Sequence, residues 1–253
     1  MRILVSNDDG IHAPGIKSLV KALAPLGEIY VAAPAVEQTA KGHSITIHQE
    51  LKVQEIGYSH AVKAYKIWGT PKDCVDLALS ALLDFTPDLI ATGINRGSNI
   101  CNDCVSSGTI GGATAGFLRG IPSIAYSLDF GREFDYDLYK DHVLETASWF
   151  MDQDFNRNFV LSVNLPNIGE INGTVVATTG ARRTYHGQCT VREEDGFKYY
   201  TYPFNHPELV DIVEDLDHDA HALANGYIVL QPMDYDLVKQ DSVAFLRNRW
   251  NER

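Results

Sequence analysis

The sequence predicts an α/β fold: a doubly wound, Rossmann-like, mostly parallel sheet with helices on both faces. Three observations carry that prediction. The chain opens strand, helix, strand; strand and helix then alternate as far as Asn164, too regularly for an α+β arrangement; and 253 residues suffice to bury a sizeable core without disulfide staples.

Residues 2–6 are apolar enough for a buried first strand. Pro14 suits the first turn of a helix over 14–26, and Gly27 suits its stop. Residues 28–33 form the second strand, so the pair must be parallel with a right-handed crossover. A helix starts near Pro71, with Cys74, Val75, Leu77, Ala78, Ala81 and Leu82 on its apolar face. A strand at 88–92, a small-residue helix at 108–118, a strand at 123–127, a helix at 137–151 and a strand at 159–164 continue the pattern. Beyond Asn167 it loosens into polar, aromatic, turn-rich sequence, with one short helix at 219–224 and one strand at 227–230. The expected organisation is a single domain over 1–253: an α/β core over about 1–166 and an irregular C-terminal appendage over 167–253. No repeat, low-complexity tract or linker divides it.

Hydrophobic residues make up 45% and charged residues 21%, ordinary for a soluble domain, and no apolar run approaches the roughly 20 residues of a membrane span. MRILVSNDDG meets acidic residues before a signal peptide could develop, so the expected location is the cytoplasm. A formal net charge of -12 argues against binding nucleic-acid polymers or anionic membranes, and any anionic ligand must find positive charge locally. Four cysteines are too few and scattered for a disulfide framework.

The stretch NDDG at 7–10 sets two carboxylates, Asp8 and Asp9, side by side where the first strand ends. Open α/β sheets bind ligands at the carboxyl ends of their strands. Adjacent carboxylates repel, so either a cation offsets them or both face water at a solvated, helix-capping loop. Three other loops favour the cation. AAPAVEQTAKGHSIT offers the Thr39 hydroxyl and N–H groups near Gly42, GINRGSN offers Asn95 and Asn99, and SSGTIGGATAG places Ser106, Ser107 and Thr109 at the mouth of a helix. Carboxylate, amide and hydroxyl oxygens converging on one crevice suit Mg²⁺ or Mn²⁺ rather than a thiolate or imidazole zinc site. The hydroxyl-rich helix start suits an anion, and the combination suggests a phosphate ester.

NDDG at 7–10, QTAKGHSIT at 38–46, GTPKDCV at 69–75, PDLIATGINRGSN at 87–99, SGTIGGA at 107–113, GIPSIA at 120–125, VNLP at 163–166 and GYIVLQP at 226–232 together resemble the SurE survival-protein nucleotidases. The resemblance runs through nearly the whole chain and is dense over its first 130 residues. It implies a metal-dependent phosphatase acting on nucleoside 5′- and 3′-monophosphates, in some members also on short polyphosphate. It further implies one divalent cation per subunit on Asp8, Asp9, Thr39 and Asn95, and a homodimer or homotetramer that exchanges its C-terminal segment. Two departures stand out. Thr39 occupies a position the family fills with serine, keeping the hydroxyl and adding a methyl; Ser106 stands where the family has tyrosine.

Phosphomonoester hydrolysis needs a water in line with phosphorus and positive charge on the non-bridging oxygens. Asp8, Asp9 and Asn95 are the candidate catalytic residues, through the ion they hold with Thr39. Ser107, Gly108 and Thr109 are the candidate phosphate cradle, against ordinary helix capping; Asn99 and Gly42 are further candidates of that kind, and His43 could contact phosphate. Arg182 and Arg183 could reach a phosphate or a partner subunit, or lie in a solvated loop. His218 and His221 lack a partner cluster, and C-x-x-C at 101–104 without a second pair or nearby histidines is a weak redox or zinc signal. Trp68 and nearby apolar residues read as core by default, though aromatics near the crevice could stack on a base.

Two rival classes remain. A receiver-like, Mg²⁺-binding phospho-acceptor module wants an aspartate at the end of the third strand, where this chain reads ATGIN. An aspartyl-phosphate phosphatase wants two aspartates separated by one residue, whereas here they are adjacent.

Overall fold

The computed structural model describes residues 1–131, 133–153, 158–184, 189–201, 208–235 and 240–251. In chain order the elements are β1 (Arg2–Ser6), α1 (Pro14–Leu23), β2 (Glu28–Pro34), β3 (Lys52–Ile56), β4 (Lys63–Trp68), α2 (Pro71–Leu77), β5 (Leu89–Arg96), α3 (Gly108–Phe117), β6 (Ser123–Leu128), α4 (Lys140–Asp152) and β7 (Val160–Leu165). There follow β8 (Gly173–Val176), β9 (Arg182–Thr184), β10 (Thr190–Glu194), β11 (Phe197–Thr201), β12 (Glu208–Val210), α5 (Asp219–Ala224), β13 (Tyr227–Met233) and α6 (Gln240–Asn251). Among the described residues, no helix is long and apolar enough to cross a membrane.

One nine-stranded sheet runs in the order β3-β4-β2-β1-β5-β6-β7-β13-β8. The six strands from β4 to β7 are mutually parallel. At the flanks β3 is antiparallel to β4, β13 is antiparallel to β7, and β8 pairs in parallel with β13. The doubly wound, mostly parallel α/β core read from the alternation is therefore present.

Side chains on successive strand residues point to opposite faces, and the two cores divide that way. Ile3, Val5, Ile29, Val31, Leu89 and Ala91 pack with Ile16, Leu19 and Leu23 of α1 and with Val143, Ala147 and Phe150 of α4. Leu4, Ala32, Ile67 and Ile90 pack on the other face with Cys74 and Val75 of α2 and Ala115 of α3. Pro14 starts α1 at its first turn, and a 3-10 turn at Ala24–Leu26 carries the chain to Gly27, as the sequence suggested. Gly15 is needed for closeness: a Cβ there would lie 2.0 Å from the Ile94 carbonyl oxygen, so only glycine lets α1 press against the end of β5. The helix from Pro71 begins with a capping box between Thr70 and Asp73 and finishes as a π-helical stretch, Ala78–Leu82.

From β1 the chain winds outward to β2 and β4, then returns to the opposite side of β1 as β5. The winding reverses between β1 and β5, and a crevice opens where their carboxyl ends diverge.

The β3–β4 hairpin was not legible because β3 is exposed along four of its five residues, so no buried face marks it. Trp68, expected in the core, is 38% exposed at the end of β4, its ring under Lys52 Nζ at 4.3 Å. The segment after Asn167 is more ordered than its composition suggests. It supplies β8 and β13 to the main sheet, the two small pairs β9–β12 and β10–β11, and a satellite core in which Ala177, Ala181, Ala220, Leu223 and Val229 pack on Ile100 and Cys101.

Asp219 ties that segment to the loop after β5. Its fully buried carboxylate accepts N–H donors from Cys101 (2.8 Å), Gly180 (2.9 Å), Ala220 (2.8 Å) and Gln231 Nε2 (3.2 Å). Removing the acceptor leaves those donors unsatisfied, at about 1–3 kcal/mol for each that water cannot reach. Asp219→Ala is expected to lower unfolding stability by about 3 kcal/mol, read as a shift of the urea midpoint at unchanged slope; a shift no larger than that of an exposed Asp215→Ala control would refute this.

Candidate metal and phosphate site

The turn after β1 is built by Asn7, whose Nδ2 donates to the Gly10 carbonyl at 2.9 Å. Its Oδ1 is buried with no hydrogen-bond partner among the described residues. Asp8 is 2% exposed. Its Oδ1 accepts the Thr109 hydroxyl at 2.5 Å, and its backbone carbonyl accepts the Gln38 N–H at 2.7 Å. Burial pushes the Asp8 carboxyl up to about 7; the Thr109 bond opposes that rise and the neighbouring Asp9 charge adds to it. Asp9 is less buried, and its Oδ2 accepts the Arg96 backbone N–H at 3.2 Å, across the crevice between β1 and β5. Burial raises Asp9 as well, the Arg96 N–H works against it, and Glu37 adds repulsion.

Asp8 meets the N-terminus of α3 in direct contact. Thr92 of β5 fixes that helix start by donating its hydroxyl to the Thr109 carbonyl at 2.8 Å. A Cβ on Gly108 would stand 2.9 Å from Asp8 Cβ and 3.0 Å from its Oδ2, so glycine is what allows helix and carboxylate to approach. Ser107 is the cap, its Oγ accepting the Ile110 N–H at 3.2 Å. Ser107, Gly108 and Thr109 thus sit together at a helix end, where unpaired N–H groups and the helix dipole favour an anion.

Asn95, half-buried at the end of β5, donates Nδ2 to the Gly97 carbonyl at 2.8 Å and leaves Oδ1 without a hydrogen bond among the described residues. Thr39 is exposed, and its hydroxyl donates to Glu37 Oε1 at 2.6 Å. The Gln38 contact with the Asp8 carbonyl seats this loop against the acid pair. Glu37 and Arg96 are the two neighbours that sequence reasoning missed: one acts through its charge on Asp9, the other through its backbone, which no motif marks.

Three other candidates have contacts elsewhere. Gly42 donates its N–H to the Ser106 carbonyl at 2.9 Å, and its own oxygen lies where a Cβ on Gly111 would be only 2.4 Å away, so it wedges the loop onto α3. His43 places Nε2 3.2 Å from Thr114 Oγ1 and packs edge-on to the Tyr235 ring; burial holds its pKa below the usual value, with help from the Lys72 charge. Asn99 is buried under the β5 loop, donating Nδ2 to Ser127 Oγ at 2.8 Å and its backbone N–H to Asn164 Oδ1 at 2.8 Å.

Arg183 is pinned at 2.8 Å to both Asp103 Oδ2 and Ser98 Oγ with its side chain 9% exposed, while Arg182 is exposed and pairs with Asp211. Cys101 and Cys104 are buried free thiols that desolvation pushes up to about 12, so both are neutral at physiological pH and neither is a poised thiolate.

Among the described residues no three His, Cys, Asp or Glu side chains gather as a metal site. A cation at the acid pair would have to complete its shell with amide and hydroxyl oxygens, and Asn95 and Thr39 offer those two types. A pair of close carboxylates with neutral oxygens around it fits a hard divalent ion.

Comparison with known proteins places the chain in a family. The family described as Survival protein SurE matches residues 3–186. The 5′-nucleotidase SurE of Moorella thermoacetica is 38% identical over 99% of this chain and 98% of its own length, and that of Geotalea daltonii is 35% identical over 99% of both. The crystal structure of the SurE protein from Aquifex aeolicus superposes with a TM-score of 0.80 at 30% identity, covering 98% of this chain and all of that one.

The buried Asp8 makes a prediction for the cation-free protein. Its carboxyl has an ordinary value of 3.8 and a folded value of about 7, so between those pH values the folded chain holds a proton that the unfolded chain has lost. Its contribution to stability is therefore full below pH 3.8 and is lost as pH rises through 7. Asp8→Asn is expected to flatten that part of the stability curve, so that in chelator the variant gains on the wild type with rising pH. Thermal melts from pH 4.5 to 8 check this, and parallel curves would contradict it.

Proposed function

The chain belongs to the SurE survival-protein family, and from that premise we propose that it is a divalent-cation-dependent 5′-nucleotidase, cleaving nucleoside 5′-monophosphates to nucleoside and inorganic phosphate. The observation that carries this reading is the contact between buried Asp8 and the N-terminus of α3. Carboxylate charge that needs a cation abuts a helix end that favours an anion, and a cation together with a phosphate would satisfy both. Asp8, Asp9, Asn95 and Thr39 would hold one Mg²⁺ or Mn²⁺ per subunit. When bound, such an ion neutralises phosphate oxygens and acidifies a coordinated water.

The protein's own groups then have distinct tasks. The Thr109 hydroxyl and the Arg96 N–H each fix one carboxylate of the pair, so both enter the reaction already oriented. N–H groups at Ser107, Gly108 and Thr109 receive the phosphoryl oxygens and hold phosphorus in line with the attacking water. We assign the proton of that water to Asp9, the more exposed carboxylate. Attack by water leaves no phosphoenzyme and inverts configuration at phosphorus.

The same site would accept nucleoside 3′-monophosphates and short polyphosphate, since the cradle grips phosphate and not the ester beyond it. We further propose a homodimer or homotetramer joined through the C-terminal segment. Supporting this, Phe197 and Tyr200 on β11 and Phe245 and Trp250 on α6 are 60% to 69% exposed, more apolar surface than a lone chain usually leaves bare.

Phosphate release from 5′- and 3′-monophosphates and short polyphosphate, measured with Mn²⁺, with Mg²⁺ and with excess chelator, tests the reading. Turnover is expected only with a cation, and Asp9→Asn is expected to lower kcat by about 10²–10³-fold, the scale of losing one charge-stabilising group. Turnover that survives chelation, or a trapped phosphoaspartate, would overturn it.

A further inference from the structure

Next to Arg96, whose backbone N–H meets Asp9, stands a group of aromatic rings that the chemistry above does not use. Phe130, two residues past the carboxyl end of β6, is 58% exposed. Its ring meets Phe134 edge-on at 6.1 Å between centroids, Phe134 stacks on Tyr136 at 5.8 Å and 22°, and the Arg96 guanidinium lies over Phe134 at 5.1 Å.

An exposed phenylalanine on a loop is ordinary in itself. This one is held in place. The Asp129 N–H donates to the Leu165 carbonyl at 2.9 Å, and the Asp129 carboxylate accepts the Ser98 hydroxyl at 2.5 Å. On the other side of the ring, a Cβ on Gly131 would be 2.4 Å from the Asn167 carbonyl oxygen, so that glycine packs on backbone. Gly97 completes the seat: a Cβ there would fall 2.5 Å from the Phe130 ring, so the residue after Arg96 must be bare for the ring to lie against it. The backbone thus anchors an aromatic surface that still faces water.

Its position supplies the rest. Asp8 faces the anion-favouring start of α3, whereas Asp9 faces Arg96, whose chain neighbour carries the Phe130 ring. The alcohol portion of a phosphate ester seated at α3 and passing Asp9 would run toward Arg96 and this shelf. Fixed aromatic faces with a cation beside them bind flat π-systems, and a nucleobase has such a face whatever its hydrogen-bonding edge.

We infer that Phe130, backed by Phe134 and Arg96, is the platform on which the nucleobase of the substrate stacks, and so sets the preference for nucleotides over other phosphate esters. This rests on the nucleotidase reading. Stacking of this kind is tolerant of base identity, with purines gaining more than pyrimidines from their larger face.

The test compares adenosine 5′-monophosphate with ribose 5-phosphate, the same ester without the base, in the cation-loaded wild type, Phe130→Ala and Phe130→Trp. The wild type is expected to show a KM about tenfold lower for the nucleotide, the scale of one stacked base. Phe130→Ala is expected to collapse that ratio toward one through KM, and Phe130→Trp to keep it. A ratio unchanged in Phe130→Ala, or a wild type without the preference, would overturn the shelf while leaving the nucleotidase reading intact. Equal losses on both substrates, with or without a change in sedimentation, would make the ring a structural or subunit contact and also overturn it. Phosphate release from neither substrate by the wild type would end both.

Discussion

Everything in the site follows from one constraint: an aspartate is buried at the end of the central strand with a second carboxylate beside it. Asp8 is almost wholly out of water, so its charge must be matched or its proton kept. The surrounding structure meets that need from several directions at once. Glycine at 108 lets a helix end approach, Thr109 turns its hydroxyl onto the carboxylate, and Thr92 fixes the helix in that place. Beside the pair, Asn7 Oδ1 is buried with no hydrogen-bond partner among the described residues. The arrangement is poor as a fold-stabilising device and fits the proposed pairing of a cation with an anion.

The sheet topology makes this meeting possible. Winding reverses between β1 and β5, so their outgoing loops diverge and leave backbone N–H groups, such as that of Arg96, free to turn toward the crevice. The loop after β5, regular only in a 3-10 turn at Cys101–Val105, must then be held in place. Remote groups do this: Asn164 brackets Asn99, Arg183 grips Ser98 and Asp103, and Asp219 takes the Cys101 N–H. Through Arg183 and Asp219 the C-terminal third acts on the site, since each contact fixes the segment between Asn95 and Ser107.

Apart from β4, whose apolar residues are interrupted by Lys63 and Lys66, the helices and strands of the parallel core were legible because their signals are local. A strand buried on both faces is a continuous apolar run, as in residues 3–5, and α1 carries its own start in Pro14 and its stop at Gly27. Strand β3 and the strands β8 to β12 were not, because they lie on edges or the surface where composition is unconstrained by a core, whereas β13 was read at 227–230. Trp68 shows the converse error: an aromatic residue reads as interior, yet lysines on neighbouring strand positions keep it at the surface. Among the candidate site residues, Asp8 and Thr109 meet directly, while Asn99 and His43 were drawn into packing by Ser127, Asn164 and Thr114.

By itself the sequence determined the α/β class, the adjacent carboxylates at a strand end, the hydroxyl-rich helix start and the family resemblance, since each is written in neighbouring residues. Tertiary structure alone decided which oxygens face which partner: that Asp8 belongs to α3 and Asp9 to Arg96, that Arg183 is a buried clamp, and that Phe130 stands exposed beside the site. Those outcomes depend on distances between segments some thirty to a hundred residues apart, and such distances are set by how sheet and helices pack, which no local pattern encodes.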